Sequence, residues 1–177
     1  MVLNFLKTAA NLKKISRQGW IDKLSMIHPE SVADHSYSMA IMSMVISDMS
    51  NCDSEKIIKM VLLHDLAEAK IGDYTPEKIN KEKKKELENN AFYEIIENLP
   101  EKIKSQYLQI WTDYQCNFSP ESKLVHQIDR LEMTLQAKIY QKEGYSQERL
   151  ESFFESAKKD INDPKLKELF TKIIYDN

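Results

Sequence analysis

The sequence predicts an all-α fold, a single-domain bundle of about eight helices. Three observations carry that prediction. Apolar residues recur with the 3.6-residue period of a helix, and no stretch alternates as a half-buried strand does. Only three glycines occur in 177 residues, Gly19, Gly72 and Gly144, each where a loop or helix end is expected. Three of the five prolines follow a capping residue, in Thr75-Pro76, Ser119-Pro120 and Asp163-Pro164. Each pair reads as an N-cap followed by proline at the first helical position. The expected helices cover roughly 2–16, 32–50, 54–70, 76–98, 101–115, 120–142, 147–160 and 164–175.

The first helix carries Val2, Phe5, Leu6, Ala9 and Leu12 at helical spacing and ends before Ser16-Arg17-Gln18-Gly19-Trp20. A loop is expected from there to Pro29-Glu30-Ser31. Ser31 and Asp34 have the spacing of a capping box, with Asp in place of the usual Glu, so Asp34 is structural. The second helix then aligns His35, Met39, Met42 and Ile46 on one face. His35 alone is either a satisfied core histidine or a ligand. The third helix continues Ile57 and Val61 into His64 and Glu68, four apart and on one face, with Asp65 about 100° round. Gly72 ends it, and Asp73 lies just beyond. Buried charged groups need a partner or a metal.

The segment Glu77 to Glu88 is a run of mixed charge, read as a solvated face with pairs such as Glu77 and Lys81. Tyr107, Trp111 and Tyr114 recur at helical spacing as core or interface packing. The helix from Pro120 buries Val125, Ile128, Leu135 and Ile139, with Asp129 and Glu132 beside that stripe. Asp129 either pairs with Arg130 or a lysine, or completes a metal site.

Composition narrows the function. A net charge of -3 and a pI near 5.9 give no footprint for a nucleic-acid polymer. No stretch approaches the ~18 apolar residues of a membrane span. The N-terminal apolar run, broken by Asn4 and Lys7, is not a signal peptide. Cys52 and Cys116 form no CxxC pair, which fits a reduced, cytoplasmic setting. No glycine-rich phosphate loop exists.

Read together, Pro29-Glu30-Ser31-Val32-Ala33-Asp34-His35-Ser36, His64-Asp65-Leu66-Ala67-Glu68, Gly72-Asp73 and Asp129-Arg130-Leu131-Glu132-Met133 resemble the HD-domain metal-dependent phosphohydrolases. Within that superfamily they are similar to the 5′-deoxynucleotidases, over roughly residues 10 to 145. The resemblance implies a helical HD domain spanning 1–177, a homodimer, and one divalent cation. It implies hydrolysis of deoxynucleoside 5′-monophosphates to deoxynucleoside and phosphate. It gives His35, His64, Asp65 and Asp129 as metal ligands and Glu68 as the acid/base carboxylate. Arg17 matches the phosphate-orienting arginine and Asp73 a substrate-contacting carboxylate. The bacterial group places a tryptophan directly after that arginine. Here Gln18 and Gly19 intervene before Trp20, the candidate sugar contact, as in the archaeal and eukaryotic group. Tyr74 and Thr75 share the loop of Asp73, either as substrate contacts or as loop and N-cap.

Two imidazoles and two carboxylates suit Mn, Fe, Co, Ni or Zn. Glu68 would hold a water or pass its proton to the leaving 5′-oxygen, and Arg17 offers a planar fork to the phosphate. No nucleophilic side chain is required. His28 and His126 receive no metal role. The alternatives are a phosphohydrolase for another small phosphate ester and a helical binding module with a structural metal, which would need neither Glu68 nor Arg17.

Overall fold

The computed structural model describes residues 2–176. Met1 and Asn177, the ends of the expected domain, lie outside them. The described residues form helices α1 (Val2–Asn11), α2 (Gln18–Leu24), α3 (Val32–Asp48), α4 (Ser54–Leu63), α5 (Glu68–Ile71), α6 (Lys81–Ile96), α7 (Glu101–Cys116), α8 (Pro120–Lys142), α9 (Gln147–Asp160) and α10 (Pro164–Ile174). A 3₁₀ turn, Leu12–Lys14, follows α1. Among the described residues there is no β-strand, only an isolated bridge between Ser16 and Ser31. The all-α expectation holds, with two helices beyond the eight expected.

The first addition is α2, where a loop was expected. Its seven residues bury Trp20 and Leu24, one turn apart, against α9. The second arises because the expected helix 54–70 is not continuous. After Leu63 the hydrogen bonds shorten to i→i−3: Leu66 N to Leu63 O, Glu68 N to Asp65 O, Ala69 N to Leu66 O. This is the tighter 3₁₀ pattern, and α5 resumes at Glu68. Gly72 then adopts φ 82° and ψ 167°, a backbone region nearly restricted to glycine.

The capping signals split. Ser31 and Asp34 form the expected box, each side chain bonded to the other's backbone N–H. Ser119 and Asp163 cap α8 and α10, each with proline at the start. Thr75-Pro76 does not begin a helix. The Thr75 hydroxyl donates to Asp22 Oδ2 at 3.2 Å, and α6 starts five residues later, capped by Asn80.

The main core gathers Val32 and Met39 of α3, Ile57, Met60 and Val61 of α4, Phe92 and Ile96 of α6, Trp111 of α7, and Val125, Ile128 and Leu131 of α8. Phe92 and Trp111 stack with centroids 4.1 Å apart, as expected of Trp111 as packing. A second cluster joins Trp20 and Leu24 to Met133, Ala137 and Tyr140 of α8 and to Leu150 and Phe154 of α9. Helix α8 runs between the two clusters, so its position fixes α3 and α2 relative to each other.

Candidate functional site

Five segments deliver polar side chains to one place. Arg17 is the N-cap of α2, and His35 lies one turn into α3. His64 and Asp65 sit in the tightened segment after α4, Glu68 opens α5, and Asp129 lies midway along α8. His35 is fully buried. Its Nε2 is 3.4 Å from Asp129 Oδ1 and 3.8 Å from Asp65 Oδ2, and its Nδ1 is 2.6 Å from Glu132 Oε2. His64 donates Nδ1–H to the Val61 carbonyl at 2.6 Å and turns Nε2 to within 3.0 Å of Asp65 Oδ2. The two imidazole centroids are 5.4 Å apart.

Neither Nε2 completes a hydrogen bond, although both are buried. Leaving a buried polar atom unsatisfied costs about 1–3 kcal/mol, so two beside each other call for an occupant. One donor atom from each of His35, His64 and Asp129 lies within 4.8 Å of the others. Asp65 stands at the rim of this group, shared with Arg17, whose Nη1 is 3.4 Å from its Oδ2. The mixed nitrogen and oxygen donors fit a divalent transition metal. Asp129 does not pair with Arg130, which bonds Asp160 instead at 3.2 Å.

The charges are mutually dependent. Burial opposes ionisation of Asp129, but His35, Arg130 and Arg17 hold its pKa well below the usual carboxylate range. Asp65 is lowered too, with His64 and Arg17 overcoming burial. The Arg17 cation is held despite burial by Asp65, Asp129, Asp73 and Glu68. Burial and Arg17 work against a proton on His35, but Asp129 and Glu132 prevail and raise its pKa to about 9. Glu68 is the exception among the carboxylates. Burial, then Asp65 and Asp73, push its pKa well up, and Lys84 and Arg17 offset only part. Its Oε2 is buried without a partner.

The remaining expected residues occupy distinct positions. Asp73 Oδ2 accepts the Gln18 backbone N–H at 2.8 Å, so it anchors the start of α2 and with it Arg17. Tyr74 is half-buried, and its carbonyl accepts from Lys84 Nζ at 2.9 Å. Thr75 is buried and bonded to Asp22. Trp20 is only 2% exposed and lies in the second core cluster, centroids 4.3 Å from Phe153 and 5.2 Å from Tyr140. Its indole N–H donates to Glu30 Oε1 at 2.8 Å. His28 is exposed, and His126 stacks on Tyr114 at 4.2 Å.

Sequence reasoning passed over three members of this neighbourhood. Lys84, inside the run read as a solvated face, turns inward and lies 3.5 Å from Glu68 Oε1 and 3.9 Å from Asp73 Oδ1. Nothing in the charge run marked it. The expected Glu77–Lys81 partnership is replaced by Lys23, 2.9 Å from Glu77. Glu132, three residues after Asp129, was signalled only by helical spacing. Tyr114, read as packing, presents its ring edge-to-face to His64 at 5.8 Å.

A helical bundle that closes two histidines and an aspartate into one buried donor group fits an HD-type domain. The chain belongs to the HD domain family, whose family model matches residues 9–169. It is similar to the human protein 5′-deoxynucleotidase HDDC2, with 35% identity over 97% of this chain and 84% of that one. The Dictyostelium discoideum protein of the same name is 38% identical over 98% of this chain and 97% of its own. Among solved structures, a conserved hypothetical protein from Pyrococcus furiosus superposes with a TM-score of 0.79 at 29% identity, covering 97% of this chain and 98% of the other.

Proposed function

We propose that this protein is a metal-dependent 5′-nucleotidase that hydrolyses deoxynucleoside 5′-monophosphates to nucleoside and phosphate, as one domain over residues 1–177. The observation that carries the reading is the pair of buried, unbonded Nε2 atoms of His35 and His64, converging with Asp129 beside the Arg17 guanidinium. The names of the relatives supply the substrate class.

On this reading His35, His64, Asp65 and Asp129 hold one divalent cation. Such a cation supplies Lewis acidity and lowers the pKa of a bound water from ~16 to ~7. Arg17, already held as a cation against Asp65, exchanges that contact for the phosphate oxygens and steadies the charge that develops on them. Glu68, whose environment favours its protonated form, donates a proton to the departing 5′-oxygen. A structural metal site needs neither group, which argues against a non-enzymatic module. Asp73 uses Oδ2 on α2, and its Oδ1, 3.9 Å from Lys84 Nζ, accepts from a sugar hydroxyl. Tyr74 and Thr75 form the rest of that loop. Buried Trp20 contributes by backing Arg17 through Glu30, which lies 4.0 Å from Arg17 Nε.

The expected homodimer has a candidate face. Tyr37, Ile41, Met44 and Val45 of α3 and its cap Met49 are all exposed, at spacings that place them on one side. A contiguous apolar patch of this kind marks an interaction surface. No described helix is long and apolar enough to cross a membrane, and both cysteines are free, in keeping with a reducing cytoplasmic setting. The test is phosphate release from a panel of deoxyribo- and ribonucleoside 5′-monophosphates with Mn²⁺, Co²⁺, Fe²⁺, Ni²⁺ and Zn²⁺. Absence of turnover with every pair would overturn the reading.

A further inference from the structure

Helix α8 meets the same imidazole from two sides. Asp129 and Glu132 are three residues apart and share a face of the helix. Asp129 Oδ1 approaches His35 Nε2 at 3.4 Å, whereas Glu132 Oε2 lies 2.6 Å from Nδ1. Glu132 is 1% exposed and the His35 ring wholly buried. His64, by contrast, is held through its Nδ1 by a main-chain carbonyl, that of Val61. Among the described residues, His35 is the one group within ion-pair distance of Glu132. A buried carboxylate with a single partner is placed for that partner, since its desolvation is otherwise uncompensated.

We propose that Glu132 is the positioning residue for His35. It accepts the Nδ1–H, fixes the tautomer and ring orientation, and leaves the Nε2 lone pair facing the donor group. The inference rests on the metal-site reading above and assigns Glu132 no contact with substrate. An imidazole that donates to a carboxylate is a more basic ligand than one that donates to an amide carbonyl. His35 is therefore the charge-supported ligand of the site, and His64 the backbone-supported one. Glu30, with an oxygen within 4.8 Å of both His35 and Glu132, closes the space behind them and is itself held by the Trp20 indole N–H.

The experiment uses the full chain. Zn²⁺ and Mn²⁺ affinity is measured by competition with a chelating dye for wild type, Glu132→Gln and Glu132→Ala, with circular dichroism as the check on folding. Glu132→Gln keeps an acceptor oxygen without the charge and should weaken cation binding by about tenfold. Glu132→Ala removes both and should approach about a hundredfold. At saturating cation kcat should return in Glu132→Gln, because the group acts through His35. In the Zn²⁺-loaded wild type, ¹⁵N-edited NMR should show His35 with a proton on Nδ1, strongly downfield and slow to exchange. That resonance should shift upfield in Glu132→Gln, which a role in packing alone would not cause. Wild-type affinity in both variants, or an Nε2–H tautomer in the loaded wild type, would overturn the proposal. The wild-type tautomer decides the matter if neither variant folds. A wild type that takes up no cation would instead refute the metal-site reading, whereas uptake with no response to Glu132→Gln would refute Glu132 alone.

Discussion

Replacing Glu68 by Gln separates proton transfer from metal holding. The amide fills the same buried volume, so packing around α5 is kept. The donor group of His35, His64 and Asp129 lies within 4.8 Å without Glu68, so the cation should remain bound. A positioned general acid contributes about 10²–10⁴ in rate, which is about 3–5 kcal/mol of barrier at 1.36 kcal/mol per decade. The fall should appear in kcat, with KM nearly unchanged. Stability has a definite sign. The folded pKa of Glu68 lies above its usual value, so ionisation opposes folding at neutral pH, and the neutral amide should leave Tm equal or higher. The assay is phosphate release at saturating Mn²⁺ or Co²⁺ across pH, with metal content by mass spectrometry. Wild type should lose kcat as pH rises through the raised Glu68 pKa, and the variant should lack that limb. A variant within threefold of wild type, or one that loses its cation, would refute the assignment.

The other predictions concern charge and backbone. Arg17→Ala should lower kcat/KM by roughly 10²-fold for every nucleotide alike, because all share the phosphate; a loss confined to one base would contradict this. Asp73→Asn keeps an acceptor for the Gln18 N–H, so it should change the deoxyribose-to-ribose ratio of kcat/KM more than the ratio between bases. In the metal-free protein the His35 pKa is raised from 6.5 to about 9, so its proton stabilises the fold fully below 6.5 and that stabilisation is lost as pH rises through 9. A cation that takes His35 Nε2 must displace this proton, so apparent affinity should rise about tenfold per pH unit between 7 and 9; calorimetry showing no proton release would refute it. Gly72→Ala meets no atom within 4 Å but forces alanine to φ 82°, so Tm should fall by the equivalent of about 1–3 kcal/mol, with activity reduced through displacement of Asp73.

The parts of the fold legible in the sequence were those whose signal and cause are both local. The Ser31–Asp34 box, Ser119-Pro120 and Asp163-Pro164 cap their helices through their own side chains. Thr75-Pro76 carries the same signature, but its hydroxyl is taken by Asp22, fifty-three residues away in sequence. A long-range hydrogen bond outcompeted the local cap. Helix α2 was hidden because it is short and contains Gly19, a poor helix former. Its stability comes from Trp20 and Leu24 docking on α8 and α9, which periodicity over seven residues does not reveal. In the site, helical spacing put His35 and His64 on core-facing stripes and Asp129 beside one, while the resemblance to the family is what named them together as ligands. Lys84 was not, since only the packing of α6 against α5 turns one lysine of that run inward.

The departure from a regular helix at His64 bears directly on the chemistry. In a continuous α-helix residues four apart are separated by about 40° around the axis, and His64 and Glu68 would project together. Both would then compete for the same cation. In the 3₁₀ geometry each residue turns by about 120°, so the same pair diverges by about 120°. The i→i−3 bonds of Leu66, Glu68 and Ala69 interrupt the regular α-helical pattern between the two residues. Glu68 is absent from the donor group that His64 shares with His35 and Asp129, while remaining buried beside Asp65 and Lys84. On the proposed reading, one continuous stretch of ten residues thus supplies a ligand and an acid without merging them. Burial, Asp65 and Asp73 raise the pKa of that carboxyl well above the usual carboxylate value, while it stays outside the donor group.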